Sequence, residues 1–261
     1  ALKSKFISEL IVSTDSKEIA KVASDYGAVV PFLRPSKLSG DKVFSVTSLI
    51  HALSEAEKFF NKKYDYIIEL PCVAPLRDHN DIDEIIKKIL KHKADSVISI
   101  TATGEKHPIR LKKIINNQIT DFCKEYPEPD QNSRRQDLKP LSYIRNGAIY
   151  LMKREILMND KSRHGKFSVP FVMDAKKSIN IDGYDDLDAA IIKIKNNECL
   201  NNPNILNSQY IKVYKNKQRF KILITTNLSF AEDKIKEFKK HFYCIYAPGA
   251  DKKQTKNLLK N

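Results

Sequence analysis

Glycine is scarce in this chain: there are seven in 261 residues, and none falls into GxGxxG or GxxxxGKS/T spacing. That excludes a glycine-rich phosphate cradle within the sequence, because such loops need backbone that closes on phosphate with no side chain in the way. Cysteine is scarce too. Cys72, Cys123, Cys199 and Cys244 show no CxxC spacing, which argues against a zinc site and a disulfide framework. Reduced thiols of a cytoplasmic protein are expected instead. No apolar run approaches the roughly 18 residues of a membrane span, and Ala1 to Phe6 lack the apolar stretch of a signal peptide. The chain starts without Met, so the expectation is a processed or trimmed piece of something longer.

Against these absences stands a net charge of +14. A nucleic-acid binder would gather it into a basic stripe or a groove-entering element. Here the lysines alternate with carboxylates along helix-like stretches, Asp83 to His92 and Lys234 to Lys240. That spacing suits solvated faces with i,i+4 support better than a polyanion groove, with anionic small substrates as a third use of the charge. No nucleic-acid partner is expected.

The hydrophobic period alternates between strand and helix. Leu10 to Ser13, Ala28 to Pro31, Tyr66 to Leu70, Ala94 to Ile100 and Gly147 to Leu151 read as extended. Ser16 to Tyr26, Ser45 to Phe60, Asn80 to His92 and Tyr184 to Asn196 read as helices. The expected fold is α/β, with a mostly parallel sheet and helices on both faces. Residues 104–145, with Pro108, Pro127, Pro129 and Pro140, are more polar and irregular and read as a small inserted substrate lobe. Three parts are expected: a main domain over 1–200, a linker over 201–218, and the opening of a second, partial α/β unit over 219–261. In that unit Phe220 to Thr226 is a strand, and a helix follows from about Ala231 to Lys240.

Five segments can carry chemistry, since open α/β sheets bind ligands at the carboxyl ends of their strands. In Val12-Ser-Thr-Asp-Ser16 a strand runs into polar residues, although Asp15 or Ser16 equally serves as a helix cap. Leu33-Arg34-Pro35, with Ser45 at a helix start, can address a base or phosphate, or be an ordinary surface loop. Pro71 and Pro75 bracket a rigid turn that can present backbone groups to a base or be a plain loop. Arg110 and Arg135, on separate loops of the polar lobe, suit a bidentate carboxylate clamp, with solvent exposure as the alternative. Alternation along Ile179-Asn180-Ile181-Asp182 puts Asn180 and Asp182 on one face of a strand, an oxygen pair suited to Mg²⁺. The alternative for Asp182 is a cap on the turn at Gly183.

The ordered series VSTDS, LRP, PLR, RRQ, NGAIY and SINID, from about Leu2 to about Lys195, resembles the acylneuraminate cytidylyltransferases, the CMP-sialic (nonulosonic) acid synthetases. The resemblance implies a Rossmann-like nucleotidyltransferase domain with a small dimerisation lobe, hence a homodimer. It implies transfer of CMP from CTP to a nine-carbon α-keto sugar acid with Mg²⁺, releasing pyrophosphate. Carried over by position, it makes Arg34 and Ser45 nucleotide contacts and sets the Pro71 turn near cytosine. Arg110 and Arg135 fall where basic residues reach the sugar carboxylate, with Gln136 and Asn146 nearby, and Asp182 matches one of two metal-binding, catalytic carboxylates.

Three departures follow from the comparison of motifs. The family's opening strand and its basic Ser-Lys loop for the triphosphate would precede Ala1, Asn180 replaces the other metal carboxylate, and Pro71-Cys-Val-Ala replaces Gln-Pro-Thr-Ser. The sequence as given is therefore expected to turn over little substrate. Rivals are a transferase for another α-keto acid, such as an eight-carbon sugar, or for another nucleotide, and a non-catalytic sugar-acid or nucleotide-binding module. The tail from Phe220, including Tyr246-Ala-Pro-Gly-Ala-Asp251, is similar to the start of D-isomer-specific 2-hydroxyacid dehydrogenases.

Overall fold

The computed structural model of the chain describes residues 1–128, 134–196 and 222–227. In chain order the elements are β1 (Glu9–Ser13), α1 (Lys17–Asp25), α2 (Ser45–Phe59), β2 (Tyr66–Glu69), α3 (His79–His92), β3 (Ser96–Ala102), β4 (Lys112–Ile115) and β5 (Gln118–Asp121). They continue with β6 (Tyr143–Lys153), α4 (Arg154–Met158), β7 (Ser168–Val172), α5 (Tyr184–Asn196) and β8 (Ile222–Asn227). The main sheet is six-stranded in the order β1-β8-β2-β6-β3-β7. Its pairs β1/β8, β8/β2 and β3/β7 are parallel, and β6 runs antiparallel to both β2 and β3. The fold is the expected α/β sheet.

Strand alternation sends successive side chains to opposite faces, and each face has its own core. On β2, Ile67 enters a cluster with Leu49, Ala52, Leu53 and Ala56 of α2. Ile68 enters the other cluster, with Ile82, Ile85, Ile86 and Ile89 of α3. Both helix stripes follow i, i+3, i+4, i+7, the spacing that faces one side of an α-helix. Leu53, Ile67, Ile68 and Ile86 are fully buried, each such burial stabilising by about 1.5–3 kcal/mol. A third cluster joins Ile181, Leu187, Ala190 and Ile194 with Leu76.

Local chemistry sets the helix ends. Ser16 caps α1 by accepting from the N–H of Ile19. Asp78 caps α3 in a capping box with Asp81, so the helix begins at His79, one residue ahead of the expected Asn80. Lys93 closes it in the left-handed region at φ 52°.

The structure departs from the expectations at five places. Ala28 to Pro31 forms no strand, and only a bridge of Val29 to Ile11 is present. Residues 104–145 contain the antiparallel hairpin β4–β5. Edge strand β7, which includes Pro170, was not anticipated. Residues 179–182 form no strand: they carry no regular structure, bend at Asp182 and do not join the sheet. Of the segment expected from residue 219, Ile222–Asn227 lies between β1 and β2 in the main sheet, while the expected linker, the helix at 231–240 and everything to 261 fall outside the described residues.

Candidate functional site

β1 ends at Ser13, β2 at Glu69 and β3 at Ala102, all at one edge of the sheet, and antiparallel β6 starts there with Tyr143 paired to Ala102. The residues singled out from the sequence are distributed along this edge.

At the β1 end, the backbone N–H of Arg34 donates to the carbonyl of Thr14 at 2.8 Å. The Arg34 side chain is buried, not a surface arginine: Nε donates to Ser39 Oγ at 3.0 Å and Nη2 to Asp15 Oδ1 at 3.4 Å. Asp15 therefore pairs with Arg34, while its neighbour Ser16 takes the capping role.

At the β2 end, Ser45 opens α2, whose N-cap Phe44 offers no side-chain acceptor. Ser45 Oγ accepts from Nη2 of Arg163 at 2.7 Å. Arg163 also forks onto Glu69, with Nε at 2.5 Å and Nη2 at 2.7 Å, and lies over the Tyr150 ring at 5.1 Å. Burial works against the Arg163 charge, but the hydrogen bond and charge of Glu69 outweigh it and raise its pKa. Sequence reasoning missed Arg163.

The Pro71 turn is held from inside. Nη1 of Arg77 donates to the carbonyls of Pro71 at 2.6 Å and Ala74 at 2.5 Å. Burial pushes the Cys72 thiol in this turn up to about 12, which disfavours the reactive thiolate.

The NGAIY segment forms a bulge in β6. Ile98 pairs with Tyr150, but Ile100 pairs with Arg145, so β6 spends more residues than β3 across this interval. Ser99 bridges the gap: its Oγ accepts the N–H of Ile149 at 2.7 Å and lies 2.6 Å from Asn146 Oδ1. Gly147 has φ 66°, and a Cβ there would meet Asn180 Oδ1 at 3.1 Å, so both conformation and space call for glycine. Asn146 is buried, and its amide is spent within the protein on Ser99, Ser178, Met173 and the N–H of Ala148.

Asn180 and Asp182 do share a side: Asn180 Nδ2 donates to the Asp182 carboxylate at 3.1 and 3.2 Å. The cap that Asp182 could have supplied comes from Asp186, whose Oδ2 accepts the N–H groups of Asp182 and Gly183 at 3.1 and 3.0 Å. Asn180 Oδ1 is buried and has no hydrogen-bond partner. Turning the amide by half a revolution would bring that oxygen toward the carboxylate, where a water molecule or a cation could lie between the two oxygens. An amide oxygen beside a carboxylate is a donor pair of the kind a hard divalent ion takes. Among the described residues no three His, Cys, Asp or Glu side chains are grouped to hold a metal. The remaining ligands would then be phosphate oxygens and water, as Mg²⁺ prefers.

In the inserted lobe, Arg110 ends a single 3₁₀ turn, Pro108–Arg110, and is half-buried. His107 is buried and ties this turn to the segment carrying Pro140, with Nε2 2.8 Å from the Pro140 carbonyl. Arg135 and Gln136 are exposed, and an Arg135 Nη2 lies 3.9 Å from where a Gly104 Cβ would be. Arg110 and Arg135 therefore flank the segment 104–110 on separate elements.

Comparison with known proteins bears on the whole edge. Residues 1–179 match the family model for cytidylyltransferase. An N-acylneuraminate cytidylyltransferase of Escherichia coli is 30% identical over 192 residues, covering 73% of this chain and 43% of that protein. A CMP-N,N'-diacetyllegionaminic acid synthase of Campylobacter jejuni is 30% identical over 193 residues, covering 74% of this chain and 79% of that one. Among solved structures, a CMP:2-keto-3-deoxy-manno-octonic acid synthetase complexed with CTP superposes with TM-score 0.50 at 13% identity, over 74% of this chain and 84% of that one. That likeness concerns the fold alone. The matched stretch runs from the first residues through β7 and takes in Arg34, Ser45, the Pro71 turn and the NG bulge, so the chain belongs to the cytidylyltransferase family.

Proposed function

We propose that the chain is an enzyme that transfers CMP from CTP to a nonulosonic, sialic-acid-like sugar acid. The anomeric hydroxyl oxygen of the sugar bonds to the α-phosphorus of CTP. The bond from that phosphorus to the bridging oxygen breaks, pyrophosphate leaves with the electron pair, and the hydroxyl proton passes to water. Such phosphoryl chemistry asks a protein mainly for positioning and charge neutralisation. The observation that carries the reading is that Arg34, Ser45 and the Pro71 turn belong to one sheet edge within the stretch that matches the cytidylyltransferase family, with the segment bearing Asp182 hydrogen-bonded to that turn. The relatives named for N-acylneuraminate and for CMP-N,N'-diacetyllegionaminic acid support the acceptor class.

In this reading Ser45 and the Pro71 turn hold the nucleotide, and Arg34, expected as a direct contact but buried against Asp15 and Ser39, shapes the β1 end of its site. Arg110 and Arg135 address the sugar carboxylate with planar forks, assisted by Gln136, and Asn146 shapes the floor on which Asn180 rests. Asp182, with the Asn180 amide oxygen, would hold Mg²⁺, which when bound supplies charge neutralisation for the phosphates. The exposed Ile114, Ile119 and Phe122 of the hairpin support a homodimer, and the free thiols of Cys72 and Cys123 support a reducing, cytoplasmic setting.

Pyrophosphate release with CTP, Mg²⁺ and a panel of eight- and nine-carbon α-keto sugar acids tests the proposal. With the family's basic Ser-Lys loop joined ahead of Ala1, the expected result is release that depends on a nine-carbon acid; for the sequence as given, little release is expected. CTP binding with no release for any acid would replace the enzyme with a binding module, and preference for an eight-carbon acid would change the acceptor.

A further inference from the structure

Arg163 lies 118 residues from Ser45 and 94 from Glu69 along the chain, yet one guanidinium joins them. Glu69 is 2% exposed and Arg163 19%, so water competes little for this contact. A bare cation at the N-terminus of α2 would be repelled by the positive end of the helix dipole. The Glu69 fork cancels that charge, which argues against Arg163 as a phosphate ligand. What remains is its effect on the hydroxyl. A serine has one O–H to donate and two lone pairs to accept with. Arg163 fills a lone pair of Ser45 Oγ, and among the described residues that hydroxyl makes no other hydrogen bond. Its own proton is thereby left to point away from the guanidinium.

The geometry points to Arg163 as a positioning residue that fixes Ser45 as a hydrogen-bond donor to an acceptor atom of the bound nucleotide. Glu69 and Tyr150 aim the guanidinium, one by its bidentate fork and the other by its ring face. The inference rests on the place of Ser45 in the nucleotide site proposed above. It extends that site to the loop between α4 and β7, which the reading of the sequence did not single out.

A double-mutant cycle read by calorimetric CTP binding to the full chain tests it. Arg163→Lys keeps the charge but cannot hold Glu69, Ser45 and Tyr150 at once. Arg163→Lys and Ser45→Ala should each weaken CTP binding roughly three- to tenfold, the size of one hydrogen bond. In the Ser45→Ala background, Arg163→Lys should cost no more than about a further factor of two, because the group it aims is gone. Glu69→Gln, which loosens the fork from its far end, should show the same dependence on Ser45. If Ser45→Ala weakens binding but the Arg163→Lys effect is additive or absent, Arg163 is only a structural ion pair and this proposal falls. If Ser45→Ala leaves CTP binding unchanged, the place of Ser45 in the nucleotide site falls, and this proposal with it.

Discussion

The backbone N–H of Ile181 donates to the carbonyl of Val73 at 2.8 Å. One hydrogen bond thus joins the Pro71 turn to the segment bearing Asn180 and Asp182. The two meet again where Leu76 packs with Ile179 and Ile181. A shift of the segment against the turn would break both contacts, so the position of Asp182 depends on how firmly residues 174–182 are docked.

Lys177 is the polar part of that docking. Its Nζ reaches Asp78 Oδ2 at 2.7 Å and Asp81 at 3.1 and 3.2 Å, the two carboxylates of the α3 capping box. Lys177→Met should lower the thermal midpoint by about 2 °C, a small loss because Lys177 and Asp78 are a third or more exposed and only Asp81 is largely covered. It should also raise the Mg²⁺ concentration needed for half-maximal rate, with partial recovery in Lys177→Arg. A changed midpoint with an unchanged Mg²⁺ requirement would confine Lys177 to stability.

The same network predicts a pH dependence. Burial pushes Asp78 up, but the hydrogen bonds from Lys177 and from the N–H groups of Asp81 and Asn80 outweigh it and hold its carboxyl below the ordinary value. A carboxyl depressed in the fold stabilises above its unfolded pKa, about 3.9, and that stability is lost as pH falls through the folded value. The midpoint difference between the wild type and Lys177→Met should therefore be full at pH 7 and shrink below about pH 4. A difference that stays constant from pH 7 to pH 3 would remove Asp78 from the account.

The sequence disclosed what depends on local period and little of what depends on distant pairing. The stripe Ile82, Ile85, Ile86 and Ile89 specifies α3 by itself, whereas Asn180 and Asp182 meet through a side-chain hydrogen bond although the strand expected at 179–182 does not form. Strand β7 was hidden because Pro170 cannot donate to a ladder; its place at the sheet edge is what tolerates proline. Ile222–Asn227 reads as a strand in any parallel sheet, since pattern specifies a strand and not its neighbours. The NG bulge had one local sign, an isolated glycine within a strand pattern. Arg163 had none, because nothing near it in sequence marks a residue that pairs with Glu69.

Asp182 and Asp186 now have separable roles. Because Asp186 takes the N–H groups of Asp182 and Gly183, Asp186→Ala should cost about 1 kcal/mol of stability, as loss of a cap does. Asp182→Asn should leave the thermal midpoint within about 1 °C and nearly abolish turnover. Asn180→Asp should lower the Mg²⁺ requirement by adding a second charge. An unchanged Mg²⁺ titration in Asp182→Asn would refute the metal role.

The two lobe arginines should sort by substrate. Arg110→Ala or Arg135→Ala should reduce kcat/KM for the sugar acid roughly ten- to hundredfold while CTP binding changes little, since a lost charge-assisted bond costs about 1.5–3 kcal/mol. Arg135→Lys should recover part of this, an ammonium having no planar fork. Equal losses toward both substrates would place these arginines outside a carboxylate site.

The hairpin β4–β5 gives the last prediction. Asn116 and Asn117 both have positive φ, 50° and 63°, as a two-residue turn that matches strand twist requires. That turn sets Ile114 directly opposite Ile119, and the pair stands 76% and 74% exposed. Facing isoleucines on a two-stranded ribbon lose most of their burial energy to water unless a second surface covers them. A second copy of the chain is the expected cover. Wild-type protein at micromolar concentration should run as a dimer in light scattering, and the double variant Ile114→Lys/Ile119→Lys as a monomer. Neither side chain belongs to the buried clusters, so the variant's far-UV circular dichroism should match the wild type. A wild-type monomer, or a dimer that survives both lysines, would move the interface off the hairpin.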